Sequence, residues 1–362
     1  TPRNFKMTAS DDPCYRSIAK YLRARTGDYK PTVGIICGSG LSGLADSLQN
    51  TITVPYSEIP DFPLSTVSGH QSKMIFGEFV SPDGASPPIR AICLCGRFHP
   101  YEGFPMSAVA LPVRVMRCLG AKALVVTSAS GGLNAGYKVG DVVCMADHFA
   151  LPCVAGKNPL VGRNDDELGP RFPATSDAYD GTMRAAAMKA ANALGFGEFV
   201  RDDGTYCMAF GPMYESKAEC RFLSQHGDAV GMSTIPEVLA AHHCGMKVLF
   251  ASLITNMVTM PGDEGKEAAN HHEVLEAVAK RSNQFQRLVQ TTVLDLSGYL
   301  TALPDLPPVN LNVPDRTVKK KKVHGIDLSI FETALKIPLY CFCFAAGLVV
   351  MDVVLGIELQ SS

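Results

Sequence analysis

Three segments put small or hydroxyl-bearing residues just where an apolar run gives way to a turn. Gly38-Ser39-Gly40-Leu41-Ser42-Gly43 follows the run 32–37 and fits GxGxxG. Thr127-Ser128-Ala129-Ser130-Gly131-Gly132-Leu133 follows 123–127, and Gly231-Met232-Ser233-Thr234 precedes a helix expected to begin near Pro236. Small residues let backbone N–H groups approach an anion, and the Ser39 and Ser233 hydroxyls add donors. Arg97 follows another apolar run, and a guanidinium can grip an oxyanion through two parallel hydrogen bonds. GxGxxG after a strand is also the dinucleotide fingerprint, with Glu58 or Asp61 in the place of its acidic partner. Each turn taken alone reads first as a simple chain connection. Taken together they suggest one composite phosphate site at the carboxyl ends of strands.

Other pairings promise less chemistry. His271-His272-Glu273 and His242-His243-Cys244 place histidines side by side, where they point in different directions on a helix and chelate poorly. Neither has a zinc-site spacing, so no metal is expected. The twelve cysteines of this 362-residue chain include several inside apolar runs, such as Cys93 and Cys95 in 91–95. They read as reduced, buried small hydrophobes of a cytoplasmic protein rather than a disulfide framework. The N-terminus, TPRNFKM, shows no basic, apolar leader. With 33 Lys and Arg against 35 Asp and Glu, the formal charge of −2 speaks against nucleic-acid binding by bulk charge.

The elements that must carry these groups follow from the hydrophobic pattern. Runs 32–37, 91–95, 123–127 and 247–255 are continuously apolar and suit strands buried on both faces. Segments 107–119, 180–194 and 267–296 suit helices, which predicts an α/β fold with a mostly parallel or mixed sheet. Hydrophobic residues make up 46% and charged residues 19%, enough apolar side chain for a large core. After about residue 300 the character changes. Pro304, Pro307, Pro308 and Pro314 break regular structure, residues 319–322 are all lysine, and 337–357 is almost wholly apolar. Some of the mean hydropathy of +0.10 belongs to that last stretch.

The sequence resembles the trimeric purine nucleoside phosphorylases. The stretches that carry the resemblance run in order: GIICGSGLSGLAD, STVSGHQSKMIFGEF, GRFHPYEGFP, VVTSASGGLNAGYKVGD, NPLVGRNDDELGPRFPATSDAYD, GPMYESKAECRFL, GDAVGMSTIPEVLAAHHCGMKVL, SLITNMV and ANHHEVL. The resemblance demotes the dinucleotide reading. It implies a single α/β domain over residues 1–305, with a mixed, distorted barrel-like sheet surrounded by helices, assembled as a homotrimer. It implies reversible phosphorolysis of inosine, guanosine and their deoxy forms, with phosphate as co-substrate and no cofactor. The implied phosphate site is Ser39, Arg97, His99, the Ala129 backbone and Ser233, with His70 on a loop that closes over it. The implied base site is Tyr214, Glu215 and Asn256, and the implied ribose site is Tyr101, Met232 and His271. Phe172 corresponds to an aromatic that reaches the neighbouring subunit's site.

On the residues alone, Glu215 competes with a plainer role, an acid in the first turn of a helix starting at 212–215. Met232 and Phe172 suit ordinary packing as well. Against the commoner family pattern, Ser128 stands for Asn, Ser130 for Ala, Tyr214 for Phe and Met257 for Lys, and Ser128 and Tyr214 are expected at or beside the base pocket. Broadened base specificity, a methylthioadenosine-type phosphorylase and a non-catalytic nucleoside-binding trimer are the alternatives. Residues 306–336 read as a Pro-rich then Lys-rich linker, and 337–362 as an apolar extension. That extension approaches the length of a membrane anchor, but Asp352 within it disfavours one.

Overall fold

Alternation of side chains along buried strands decides the layering. The computed structural model describes residues 15–67, 70–84, 86–263 and 271–312, with the backbone alone at 271 and 272. Its helices are α1 (Tyr15–Thr26), α2 (Met106–Leu119), α3 (Leu151–Val154), α4 (Gly181–Ala193), α5 (Lys217–Leu223), α6 (Ile235–His243), α7 (His271–Asp295) and α8 (Ser297–Ala302). Its strands are β1 (Val33–Cys37), β2 (Gln49–Pro55), β3 (Lys73–Phe79), β4 (Ile89–Cys95), β5 (Ala123–Gly132), β6 (Val142–Ala150), β7 (Val200–Met208), β8 (Ala229–Gly231) and β9 (Lys247–Met257). Every residue of β1 is buried. Ile36 faces a core shared with α1, α2 and α6, while Ile35 and Cys37 face one shared with α4 and α7. Period two along the strand thus places a helical layer on each sheet face.

The strand order is β2-β3-β4-β1-β5-β8-β7-β6-β9, with β9 returning to pair with β5. Strands β5 to β9 therefore close on themselves, and β2, β3, β4 and β1 extend from β5 as an open sheet. Parallel pairs β1–β4, β1–β5 and β5–β9 combine with antiparallel β3–β4, β5–β8 and β6–β9, so the sheet is mixed, as the α/β reading predicts. The parallel pairings bring the carboxyl ends of β1, β4, β5 and β9 to one edge.

Two sequence expectations fail locally. The segment 127–133 is not a turn, because β5 continues through Gly132, pairing with β9 as far as Gly132↔Met257 across an irregularity at Ser130/Gly131. Cross-strand pairing overrides the turn preference of its Ser and Gly residues. No helix starts at 212–215. Ser216 caps α5 instead, its hydroxyl accepting from Glu219 N (3.3 Å) while Glu219 Oε2 accepts from Ser216 N (2.7 Å). Glu219 thus takes the helix-start role and leaves Glu215 outside the helix. Past α8 the chain stays on the body: Leu306, Val309 and Leu311 pack on the core and Arg117 Nη2 donates to Pro307 O (2.6 Å). The expectations for 313–362 lie outside the described residues. No helix among those described is long and apolar enough to cross a membrane.

Candidate active site

The turn after β1 is pinned from below. Gly38 N donates to Thr127 Oγ1 (2.9 Å), and a Cβ at Gly38 would stand 2.7 Å from the Thr127 carbonyl oxygen, so only glycine fits. Gly40, at φ 72°, sits in the left-handed region that glycine enters freely. A 3-10 turn over Ser42–Ser47 follows, not the long helix that the dinucleotide fingerprint requires. Ser39 is thereby presented to a cleft of about 540 Å³.

Cleft walls come from at least six places in the sequence. Ser39, Arg97, His99, Tyr101, Ala129, Tyr214, Glu215, Met232, Ser233 and Asn256 all line it. Arg97, 2% exposed, donates from Nη1 to Ser233 Oγ (3.0 Å) and Thr234 Oγ1 (3.2 Å). Thr234 precedes α6 at φ 75°, a strained backbone for a β-branched residue and one met at functional sites. Ser233 and the first turn of α6 thus bring hydroxyls and a helix N-terminus beside a buried guanidinium, which together suit an oxyanion.

His99 sits beside Arg97. Its Nδ1 donates to Glu102 Oε1 (3.0 Å) and its backbone N–H to the same oxygen (2.9 Å). Because a carboxylate only accepts, the Nδ1 proton is fixed and Nε2 is left as the free nitrogen. Burial lowers the His99 pKa, opposed by the Glu102 hydrogen bond. Sequence reasoning missed Glu102. Burial works against its charge, yet hydrogen bonds from His99 and from the Thr66 N–H (2.7 Å) and hydroxyl (2.8 Å) bring it down to about 2. The signal was present as an acid three residues after His99, the spacing that lets a side chain reach back to a cap.

His70 does not line the cleft but stands behind it. Its Nδ1 meets Ser65 Oγ at 2.7 Å, its Nε2 lies 3.5 Å from Ser39 Oγ, and its ring stacks 5.7 Å from His99. Burial, then His99 and Arg97, push it down to about 4, so it is neutral near pH 7. Tyr101 stacks nearly parallel on His99, with ring centres 4.6 Å apart. Met232 and Tyr101 both lie against Gly211.

Also on the lining, Glu215 has its Oε1 buried without a hydrogen-bond partner among the described residues, and burial raises its pKa. Asn256 Oδ1 accepts from Thr255 Oγ1 (3.2 Å). Tyr214 is 41% exposed at the rim, where Lys217, another residue sequence reasoning missed, also lines the cleft. Ser128 is not a lining residue. It is 1% exposed, and its hydroxyl bonds Ser252 Oγ (2.8 Å), which also meets Ser130 Oγ (2.7 Å). Ser130 does reach the cleft.

Two expected residues remain to be placed. His271 opens α7, its side chain outside the described residues. Phe172 is 87% exposed and does not line this cleft. His242 Nε2 meets Ala174 O (2.5 Å) and His243 Nε2 meets Asn164 Oδ1 (3.0 Å), two separate directions. No group of three or more His, Cys, Asp or Glu among the described residues is placed to hold a metal ion.

A model of the phosphorylase superfamily matches residues 32–293. The purine nucleoside phosphorylase of Bos taurus is 47% identical over 289 residues, covering 79% of this chain and 96% of that one. Purine nucleoside phosphorylase 1 of Geobacillus stearothermophilus is 42% identical over 268 residues, 74% of this chain and 92% of that one. Among solved structures, Schistosoma mansoni purine nucleoside phosphorylase in complex with inosine superposes with a TM-score of 0.72 at 40% identity, covering 82% of this chain and 99% of that one. Isoform 2 from the same organism, in complex with cytosine and ribose-1-phosphate, gives 0.72 at 36% identity, with the same two coverages.

Proposed function

This chain belongs to the phosphorylase superfamily, and from that premise we propose that it catalyses the reversible phosphorolysis of purine ribonucleosides and deoxyribonucleosides, inosine and guanosine first among them. The observation that carries the reading is one cleft lined by a buried guanidinium and hydroxyls and also by an amide and a carboxyl with one buried oxygen left without a hydrogen-bond partner among the described residues. Phosphate is a co-substrate, and the reaction takes neither metal nor organic cofactor.

The chemistry divides along the cleft. A phosphate oxygen bonds the anomeric carbon as the glycosidic bond breaks, and the bond's electron pair leaves with the purine. Positive charge grows on the sugar and negative charge on the base, so catalysis lies in stabilising both at once. Ser39, Arg97, His99, the Ala129 N–H and Ser233 hold phosphate under the sugar. Neutral His99, its Nδ1 proton committed to Glu102, accepts from a phosphate hydroxyl through Nε2. Asn256 donates to the purine ring nitrogen that gains charge. Glu215, which burial makes a better proton holder than an exposed glutamate, shares a proton with the leaving base. Tyr214 packs on the base. Tyr101, Met232 and His271 hold the ribose, Met232 by apolar contact.

The working assembly is a homotrimer in the cytoplasm, in which Phe172 crosses to a neighbour's cleft. Supporting this, Phe172 and Val161 of one loop are 87% and 69% exposed, apolar surface that suits an interface. Nine cysteines among the described residues are free thiols, compatible with a reducing compartment. By sequence, residues 337–362 are an apolar extension appended to the catalytic domain.

The test is a substrate panel with phosphate present: inosine, guanosine, adenosine, cytidine and methylthioadenosine, with the sugar product identified by phosphorus NMR. The reading expects ribose 1-phosphate from inosine and guanosine. Turnover confined to methylthioadenosine, or binding without any turnover, contradicts it.

A further inference from the structure

Arg97 meets Ser233 through Nη1, and at its other terminal nitrogen, Nη2, lies a carboxylate that the reaction as described does not use. Glu237, in the first turn of α6, is 1% exposed, and its Oε2 stands 3.1 Å from Arg97 Nη2. The contact is an ion pair without hydrogen-bond geometry: neither Glu237 oxygen, nor Arg97 Nε or Nη2, has a hydrogen-bond partner among the described residues. Among the described residues, Arg97 is the sole opposite charge paired with Glu237. The other titratable group that senses it is the buried Tyr56, whose hydroxyl is committed to Gly96 O (2.7 Å). Around Arg97 itself stand His70, His99, Tyr101, Tyr206 and Cys37, none carrying negative charge near pH 7.

We propose that Glu237 is a positioning residue for the oxyanion: it holds Arg97 in place as its counter-ion, and it takes up a proton when an anion engages the guanidinium. The inference deepens the phosphorolysis reading and rests on it for the identity of the anion. One guanidinium cannot fully neutralise both a buried carboxylate and a dianion a few ångströms away. A buried carboxylate whose partner is drawn to another anion becomes an unpaired charge, and such groups neutralise themselves. The helix N-terminus favours a charged first-turn acid, but more weakly than burial without a partner disfavours it. Consistent with this, burial, partly offset by Arg97, already raises the Glu237 carboxyl to about 7. The step balances simply: one proton passes from buffer to a carboxylate oxygen, leaving a neutral carboxylic acid beside the guanidinium–anion pair.

The decisive experiment compares sulfate affinity of the wild-type protein and Glu237→Gln by calorimetry at two pH values. Sulfate stays a dianion across this range, and the amide reproduces the protonated carboxyl. At about pH 6 the two proteins are expected to bind sulfate within about twofold of each other. At about pH 8, where the wild-type carboxyl must first gain a proton, Glu237→Gln is expected to bind roughly five- to tenfold more tightly. Titration of His70 or His99 acts on both proteins and cancels in the ratio. An affinity ratio that does not change with pH, whatever its size, overturns the proposal, as does tighter wild-type binding at about pH 8. Steady-state kinetics add a second reading, since the change must appear in the KM for phosphate and leave the KM for inosine within about twofold. If the wild type binds sulfate but releases no base from inosine, the phosphorolysis reading fails while calorimetry still decides the role of Glu237.

Discussion

A buried carboxyl declares its use through its partners, and three carboxyls, Glu215 on the cleft lining and Glu102 and Glu237 bonded to lining residues, have different ones. Glu102 is saturated, with five donors from His99, Ser65 and Thr66, and serves to orient. Glu237 has one ion-pair partner, and Glu215 Oε1 has none. If Glu215 meets the leaving base as proposed, replacing it with Ala is expected to lower kcat/KM for inosine by about 100-fold or more. Steady-state kinetics check this, and a change of less than about threefold removes Glu215 from the site. Glu102 supports a pH prediction. Its folded pKa is below the ordinary 4.5, at about 2, so the stability it contributes is present above 4.5 and is lost as pH falls toward 2. Wild type should therefore lose more in Tm than Glu102→Gln between about pH 5 and about pH 3, and parallel curves would contradict the assignment. Arg97 and Ser233 were legible in the sequence because their types bind anions and they follow strands. Glu102 and Glu237 were not singled out, since an acid's meaning depends on burial by segments distant in sequence.

At the scale of elements, apolar runs gave away β1, β4, β5 and β9 because both their faces are covered. Strand β2 is largely exposed and β7 carries Asp202 and Asp203 midway, so neither has such a run. The ends of elements were harder to read. Residues 128–132 look like a turn locally, yet they extend β5 because β9 offers a full row of partners. Helix α4 tests the reverse case, where a local signal is enough. Asp180 caps it by accepting from Met183 N (2.9 Å) and also accepts from Tyr299 OH (2.8 Å). Asp180→Ala is expected to cost about 1–2 kcal/mol of stability, read as a lower Tm. Because α4 contributes nothing to the cleft lining, both KM values should hold; a raised KM would show that the cleft depends on this cap.

For the whole molecule, residues of one chain line the cleft, and the loop with Phe172 exposes apolar surface. If that loop completes a neighbour's site, sedimentation should give three times the mass of one chain. Phe172→Ala should then raise the KM for inosine several-fold while leaving the KM for phosphate nearly unchanged, since the aromatic would meet the nucleoside end of the cleft. A monomer with full activity would contradict both statements. The central claim is narrower and comes first: phosphate, not water, displaces the purine. It is tested by following hypoxanthine release from inosine as phosphate is raised from none. The account predicts negligible release without phosphate and a saturable rise with it, accompanied by equimolar ribose 1-phosphate. Release at the same rate without phosphate, with free ribose as the product, would contradict it.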